Sequence, residues 1–367
     1  MTGQAKLELR GLRKAFDGTR AVDGVDLAVA PGEFLSILGP SGCGKSTLLS
    51  MITGLTTQDG GDIIVDGRVV NDLAPQERRL GLVFQDYAVF SRLSVRQNLA
   101  FGLKARGMKQ AEREMRVAAI AMQLDLEALL PRSGATLNMS EMQRVAIARV
   151  LVTEPDILLL DEPMSNLDAS VRMSLRTELK HIQASLNQTI LYVTHDQAEA
   201  MAMSDRIAVM NAGRILQLGS PEDIYRRPSS RFVAEFIGDP PMNLLACELR
   251  GDRSDGSVVT ALHGPIAVGP CRFEGAPSRL GIRPHDVRLA HDDSPQAART
   301  RVVYIENIGA EHIAYVEYGD GLLAMATRPD QVREGETVSI VLDPKALHFI
   351  LADDTVVQPG APGAQHG

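Results

Sequence analysis

The chain has 367 residues, of which 44% are apolar and 23% charged, with 46 acidic side chains against 38 basic ones for a formal charge of −8. That composition belongs to globular protein long enough for two or three domains; it excludes a wholly disordered chain, and the acidic balance excludes a general attraction to nucleic acid. Three scattered cysteines (Cys43, Cys247 and Cys271) do not make a disulfide framework, and no run of about 18 apolar residues is present to cross a membrane.

The first ten residues, MTGQAKLELR, lack the apolar core of a secretory signal, so a cytoplasmic location is expected. KLELRGLRKAF and VDGVDLAVAPGEFLSILG then alternate apolar and polar residues as half-buried strands do, ending in the continuous run FLSIL, which predicts a fully buried strand. Directly after it stands GPSGCGKST (39–47), a match to G-x-x-x-x-G-K-[ST], and TLLSMITGL follows with helical spacing. Strand, glycine-rich loop and helix thus come in the order that phosphate binding needs. Glycines let successive backbone N–H groups converge on a phosphate chain, the helix adds its positive end, Lys45 neutralises the outer phosphates, and Ser46 can ligate Mg²⁺. Cys43 lies where a helix start and a lysine would lower a thiol's pKa, but a filler residue is the simpler expectation than a redox switch.

LVFQDY closes a further strand with Gln85, and the pattern from about Tyr87 to Leu130 is mostly helical, which predicts a helix-rich insert in an α/β core. In TLNMSEMQRVAIAR (136–149) the second half reads as an amphipathic helix and Asn138 can cap its start. ILLLDEP is a strand that delivers Asp161 and Glu162 at its carboxyl end, where open α/β sheets place their ligand crevice. Asp161 could hold a metal through water, and Glu162 could orient and deprotonate an attacking water. His195 follows the apolar strand ILYV and should project from the same edge. Beyond about Asp239 glycine, proline and aspartate punctuate short alternating segments such as RVVYIENIG and TVSIVLD, predicting an all-β domain of five or six short strands; the final QPGAPGAQHG (358–367) has the composition of a disordered end.

Taken together, the phosphate loop with Lys45, Gln85, ILLLDEP, SNLD and VTHDQAEAM resemble the ATPase subunits of ATP-binding-cassette transporters over roughly the first 240 residues. FIGDPPMNLL, LGIRPHDV and LDPKALHFI resemble the accessory domain of maltose-type importer ATPases, which serve carbohydrates and glycerol phosphate; polyamine and ferric-iron importer ATPases share that architecture. The resemblance implies a P-loop ATPase domain over 1–238 with a helical subdomain at about 87–152, an OB-like β domain over 239–357 and a tail at 358–367. It implies ATP and Mg²⁺ as ligands, with Phe16, Val22, Ser41, Gly42, Cys43, Gly44, Lys45, Ser46 and Thr47 around the nucleotide. Ser46, Gln85 and Asp161 fall at the metal, Glu162 at the general base and His195 at the γ-phosphate, while Asp168 links the two sites of a dimer. Implied partners are a second ATPase subunit, two membrane-spanning permease subunits and an external solute-binding protein, at the cytoplasmic face of the inner membrane.

The chain departs from the family pattern at one place above all. Where that pattern has leucine, serine, two glycines and glutamine, this sequence has Leu137, Asn138, Met139, Ser140 and Glu141. In the family this segment contacts the partner subunit's γ-phosphate, so added side chains and a negative charge should weaken that half of the site while Asn138 and Ser140 retain polar groups. Phe16 replaces the family's usual tyrosine and keeps a ring to stack on adenine. Phe90–Leu93 would line the groove for a permease helix. Two other classes stay open: a cassette ATPase of translation or DNA repair, against which the lack of a second cassette or coiled-coil insert counts, and a regulatory subunit that binds ATP with weak turnover.

Overall fold

The computed structural model describes residues 4–165, 167–250, 257–260, 266–267, 277–290, 297–309 and 311–358. β1 (Leu7–Phe16) pairs antiparallel with β2 (Thr19–Val29), as the alternation predicts. The FLSIL run is β3 (Phe34–Leu38), every residue of it buried, and the phosphate loop leads into α1 (Lys45–Thr53). Next come β4 (Gly60–Val65), β5 (Arg68–Val69) and β6 (Leu80–Val83); β4 and β5 complete a four-stranded antiparallel sheet in the order β2-β1-β4-β5. Three helices follow, α2 (Val95–Ala105), α3 (Gln110–Gln123) and α4 (Met139–Leu151). The helical pattern read from Tyr87 onward therefore begins only at Val95. Tyr87 and Ala88 have positive φ, and Asn98 ties the loop before α2 by bonding the Phe90 amide and the Phe90, Leu93 and Ser94 carbonyls.

The chain then returns to the core through β7 (Ile157–Asp161), α5 (Ala169–Leu186), β8 (Thr189–Thr194), α6 (Gln197–Met203), β9 (Arg206–Asn211) and β10 (Arg214–Gly219). The central sheet runs β10-β9-β3-β8-β7-β6, parallel except for the β9–β10 hairpin. Apolar runs without alternation make sense here because both faces are covered. Successive side chains point to opposite faces: Leu35, Ile37, Leu159 and Leu191 pack with α1 and the antiparallel sheet, whereas Phe34, Leu158, Leu160, Ile190 and Tyr192 pack with α2, α3, α4 and α5. Covering both faces of β3, β7 and β8 fixes where their carboxyl ends emerge, and the loops at those ends carry the chemistry.

The chain divides into two compact units at Pro221/Glu222, upstream of the change in sequence character at Asp239. α7 (Pro221–Arg226) begins at the boundary residue and leads into the second unit, where α8 (Arg231–Phe236) follows. Its strands are β11 (Asn243–Arg250), β12 (Ser257–Thr260), β13 (Ile266–Ala267), β14 (Arg279–Ile282), β15 (Val287–Leu289), β16 (Ala298–Asn307), β17 (His312–Tyr318), β18 (Gly321–Thr327), β19 (Thr337–Leu342), β20 (His348–Ile350) and β21 (Val356–Val357). Its described residues are all-β apart from short helices and helical turns, but they form eleven strands where five or six are expected. Many are two to four residues long, too short for alternation to register. They form a six-stranded and a five-stranded sheet. Leu280, Ile282 and Phe349 from the first meet Val302, Val316 and Ile340 from the second in one core. The expected disordered tail falls, except for Gln358, outside the described residues, as does Cys271; Cys43 and Cys247 are free thiols.

Candidate nucleotide site

β3, β8, β7 and β6 are neighbours in register, so the loops at their carboxyl ends share one edge of the sheet. The β3 loop carries the phosphate-loop residues, the β8 end His195, the β7 end Asp161 and Glu162, and the β6 end Gln85. The sequence-predicted groups do come together. Ser46 Oγ lies 3.5 Å from Asp161 Oδ1, Lys45 Nζ 3.8 Å from Glu162 Oε1, and His195 Nδ1 2.9 Å from Glu162 Oε2. Gln85 Nε2 donates to Ser165 Oγ at 3.0 Å, and Ser165 Oγ donates to the Glu162 carbonyl at 3.1 Å, so a hydrogen-bonded chain joins the β6 end to the β7 end.

Local backbone shape prepares this edge for an anion. Gly44 has φ 110°, and a Cβ there would stand 2.2 Å from the Ala21 carbonyl oxygen, so only glycine fits the loop. As the N-cap of α1 it also has no side chain to give, and no side-chain cap hydrogen bond is made. The first-turn N–H groups of a helix have no carbonyl within the helix to meet, and here the N-cap residue offers them no side chain. Lys45 Nζ is buried against its own loop, donating to the Gly39 and Pro40 carbonyls at 2.8 and 3.0 Å. Glu162 has φ 44°, an uncommon conformation for a side chain of its kind and one that clusters at functional positions.

These residues fit a phosphate chain with Mg²⁺. Burial, and then the neighbouring Glu162 carboxylate, raise the Asp161 pKa above the ordinary carboxyl range, against the Ser46 hydrogen bond and the Lys45 charge. A cation beside it would reverse that balance. No group of three or more histidine, cysteine, aspartate or glutamate side chains able to hold a metal occurs among the described residues; Mg²⁺ at nucleotides is held by one or two protein oxygens, phosphates and water. Cys43 does not behave as a low-pKa thiol. It is buried, and burial raises its pKa against the pull of Lys45, because the thiolate would have to be desolvated.

The remaining predicted residues are more dispersed in environment. Phe16 is half exposed at the end of β1 with Lys14 Nζ 5.3 Å from its ring centroid, while Val22 is buried in the core. Ser41 and Gly42 are exposed and Thr47 is partly buried beside them. Asp168 is an exposed N-cap of α5 with no side-chain cap bond. Asn138 is the N-cap of α4: its Oδ1 accepts from the Glu141 amide, and its own amide donates to Glu141 Oε2, both at 2.9 Å. Ser140 is half buried in the first turn. Glu141 is not a bare charge at this helix end, because Arg132 Nη1 meets its Oε1 at 2.8 Å. The Asn138 amide, then Arg132, hold its carboxyl below the ordinary range.

Sequence reasoning missed Arg132, whose pairing with Glu141 follows from a fold of the loop between helices rather than from helical spacing. It also missed Ser165, and Tyr87, whose buried hydroxyl donates to the Pro163 carbonyl at 3.0 Å and fixes the loop after β7. No local pattern marks either one.

A phosphate loop on one strand end with an aspartate-glutamate pair on a nearby end defines a P-loop nucleotide hydrolase. The family model for the ABC transporter matches residues 22–165, and that for the TOBE domain matches residues 280–350. The sn-glycerol-3-phosphate import ATP-binding protein UgpC 1 of Rhizobium johnstonii is 43% identical over 356 residues, covering 95% of each chain. Its counterpart UgpC from Cupriavidus pinatubonensis is 43% identical over 362 residues, covering 94% of this chain and 97% of its own. Among solved structures, cbiO1 of Clostridium perfringens, part of the ABC transporter complex cbiONQ, aligns with TM-score 0.57 and 32% identity over 60% of this chain and 91% of that one. The chain belongs to the ABC transporter family, as an import-type ATP-binding subunit with ATPase activity.

Proposed function

We propose that this ATPase drives uptake of glycerol phosphate or a related polyol or carbohydrate, pairing with a second ATPase subunit beneath two membrane-spanning permeases served by an external binding protein. Glycerol phosphate leads because two relatives alike over nearly the whole chain are named for its import. Polyamine or ferric-iron uptake is the alternative that the same architecture accommodates. The chain would sit at the cytoplasmic face of the membrane without spanning it; no helix among the described residues is long and apolar enough to cross. The exposed Phe90 packs against Phe101 with centroids 4.6 Å apart and the rings tilted by 53°. Beside them a cavity of 600 Å³, lined by Leu93, Gln97, Ala100, Phe101 and Lys104 among others, offers a partly apolar seat for a permease helix.

One observation carries the catalytic reading, the convergence of Lys45, Ser46, Asp161, Glu162 and His195 on one sheet edge. Ser46 and Asp161 would hold Mg²⁺, with Gln85 at its margin, and the ion when bound would supply positive charge against the phosphates. Lys45 would exchange its loop carbonyls for the outer phosphates. Glu162 would accept the proton of the attacking water, and His195, now bonded to that carboxylate, would turn to the γ-phosphate. Phe16 would stack on adenine. Asp168 would meet the partner's site, and the Gln85–Ser165 contact would carry the state of the γ-phosphate toward the helices.

The capped start of α4 favours a second, compatible reading. The segment that should face a partner's nucleotide already gives the Glu141 amide to Asn138 and carries the Met139 side chain beside it, so this chain would combine a sound site in cis with a weak contribution in trans, as suits a heterodimer with a chain of unaltered signature.

Uptake of labelled glycerol 3-phosphate tests the proposal. Cells lacking the gene should lose uptake and regain it with the wild-type chain but not with Glu162→Gln. Purified Glu162→Gln should bind ATP yet lose turnover by about 10²–10⁴-fold, the usual share of a general base. Undiminished uptake in the deleted strain overturns the solute, and wild-type turnover in the variant overturns the role of Glu162.

A further inference from the structure

The second unit holds a cavity of 560 Å³ whose lining includes Arg226, Arg227, Arg283, Lys345, His285 and His348, with Asp286 as its one carboxylate. Its floor is unusual. Arg283 is 2% exposed, and no carboxylate lies within ion-pair distance of it among the described residues. Its guanidinium is held instead by backbone oxygens: Nη1 donates to the Ala234 and Ile237 carbonyls at the end of α8, and Nη2 donates to the Tyr225 carbonyl at 2.9 Å. Its Nε has no hydrogen-bond partner. Carbonyls at a helix end steady a cation without cancelling it, so the buried charge projects a positive field into the cavity. Burial lowers the guanidinium pKa to about 10, which still leaves it charged near neutral pH.

Arg226, Arg227 and Lys345 are exposed at the rim and can move to a ligand. Arg226 and Arg227 pair with Glu222 at 3.3 Å and with Asp223 at 3.9 Å; pairs this exposed and loose are worth little. Lys345 is exposed. His348 is buried, and burial holds its imidazole below the ordinary value, so it adds no charge. Four cations therefore stand against Asp286 in the lining and the Glu222 and Asp223 partners outside it, which leaves a positive excess; Asp286 itself lies 3.4 Å from His285 Nε2. The aromatic surface is already engaged: the Tyr225 ring stacks on His285 at 5.8 Å and meets the Arg283 guanidinium at 4.3 Å. Recognition here would rest on charge and hydrogen bonding rather than on stacking a base. Guanidinium forks with a mobile ammonium match the oxygens of a tetrahedral dianion. The volume lies in the range of sites for small organic ligands and exceeds what a bare ion fills.

We infer that the second unit binds a phosphate dianion, free or as the ester group of a small metabolite, in the cavity floored by Arg283 and rimmed by Arg226 and Lys345. The inference stands apart from the transported solute and from the nucleotide site. Calorimetry on the full chain, saturated with ADP so that the phosphate loop is occupied, provides the test with three probes: inorganic phosphate, glycerol 3-phosphate and glycerol. At least one phosphate-bearing probe should bind at a single site and glycerol should not. Equal affinity for the two would identify the free ion as sufficient, and a tighter ester would identify a phosphorylated metabolite. Arg226→Ala with Lys345→Ala changes only exposed side chains and should weaken binding about tenfold or more, because each removes a charge-assisted contact; Arg288→Ala, outside the lining, should change nothing. Absence of binding by both phosphate probes, or affinity indifferent to the double substitution, overturns the site.

Discussion

Two helix starts in the ATPase unit face the same physical problem and solve it in opposite ways. α1 begins at a glycine with φ 110° and no capping side chain, leaving the donors of its first turn for something outside the chain. α4 begins at Asn138 with a complete capping box, in which Asn138 and Glu141 satisfy each other's amides and Arg132 neutralises the remaining charge. The first turn of a helix has a fixed set of unpaired N–H groups. Those given to the helix's own side chains are lost to a ligand, and those kept for a ligand lower stability until it arrives. The difference teaches that the start of α1 is left open for a ligand while that of α4 is capped from within, although the family resemblance turns both toward nucleotide, α1 toward this chain's own and α4 toward the partner's.

The comparison breaks most readily at Lys45. Lys45→Ala should weaken ATP binding by about tenfold to a hundredfold, the equivalent of one charge-assisted contact of roughly 1.5–3 kcal/mol. Since Lys45 presently bonds only the Gly39 and Pro40 carbonyls and stands near Glu162, the variant should fold normally. Unchanged affinity by calorimetry would show that the α1 end is not the binding end.

The cis half of this contrast was legible in the sequence for a physical reason. A phosphate site needs glycines, a lysine and a hydroxyl in fixed local order, and strands buried on both faces need unbroken apolar runs, so FLSIL, GPSGCGKST and ILLLDEP each announce their structure. The trans half was read only in part. Asn138 as a cap and the displaced glycines were visible, but Glu141 was read as an added charge because its partner Arg132 is brought there by a loop. The start of the helical insert was misplaced because Asn98, buried at the start of α2, holds the preceding loop through side-chain bonds that no periodicity records. The extra strands of the second unit escaped because a two-residue strand such as β21 exists only through its partner β20.

Restoring the family pattern should move α4 toward the behaviour of α1. Replacing Asn138-Met139-Ser140 by Ser-Gly-Gly and Glu141 by Gln removes the exposed Met139 side chain and the reciprocal Glu141 carboxylate together. The helix start could then approach a facing γ-phosphate, and the ATPase rate of the homodimer should rise by about tenfold, which is roughly 1.4 kcal/mol of transition-state stabilisation. In a heterodimer with a partner of unaltered signature the gain should be much smaller, since the competent site would already use this chain's Lys45 and Glu162. Full activity of the unmodified homodimer with no gain on restoration would mean that Asn138 and the neighbouring backbone suffice.

The smallest effect isolates the cap from the chemistry. Glu141→Ala removes one side of the capping box and the Arg132 pair, at a cost of about 1 kcal/mol, so the melting temperature of the ATPase unit should fall by roughly 2–4 °C at neutral pH. Its pH dependence gives the sign. The Asn138 amide and Arg132 lower the folded-state pKa of this carboxyl, so its contribution is present above the ordinary carboxyl range and is lost as acid protonates the folded form. The gap between wild type and variant should therefore be widest at neutral pH and close on acidification. A gap that persists unchanged into acid would mean that the carboxylate charge is not what holds this helix end. If instead the gap closes as expected while the homodimer's ATPase rate rises, then stability at α4 and reach toward a partner's phosphate compete for the same amides, which is what separates this helix from α1.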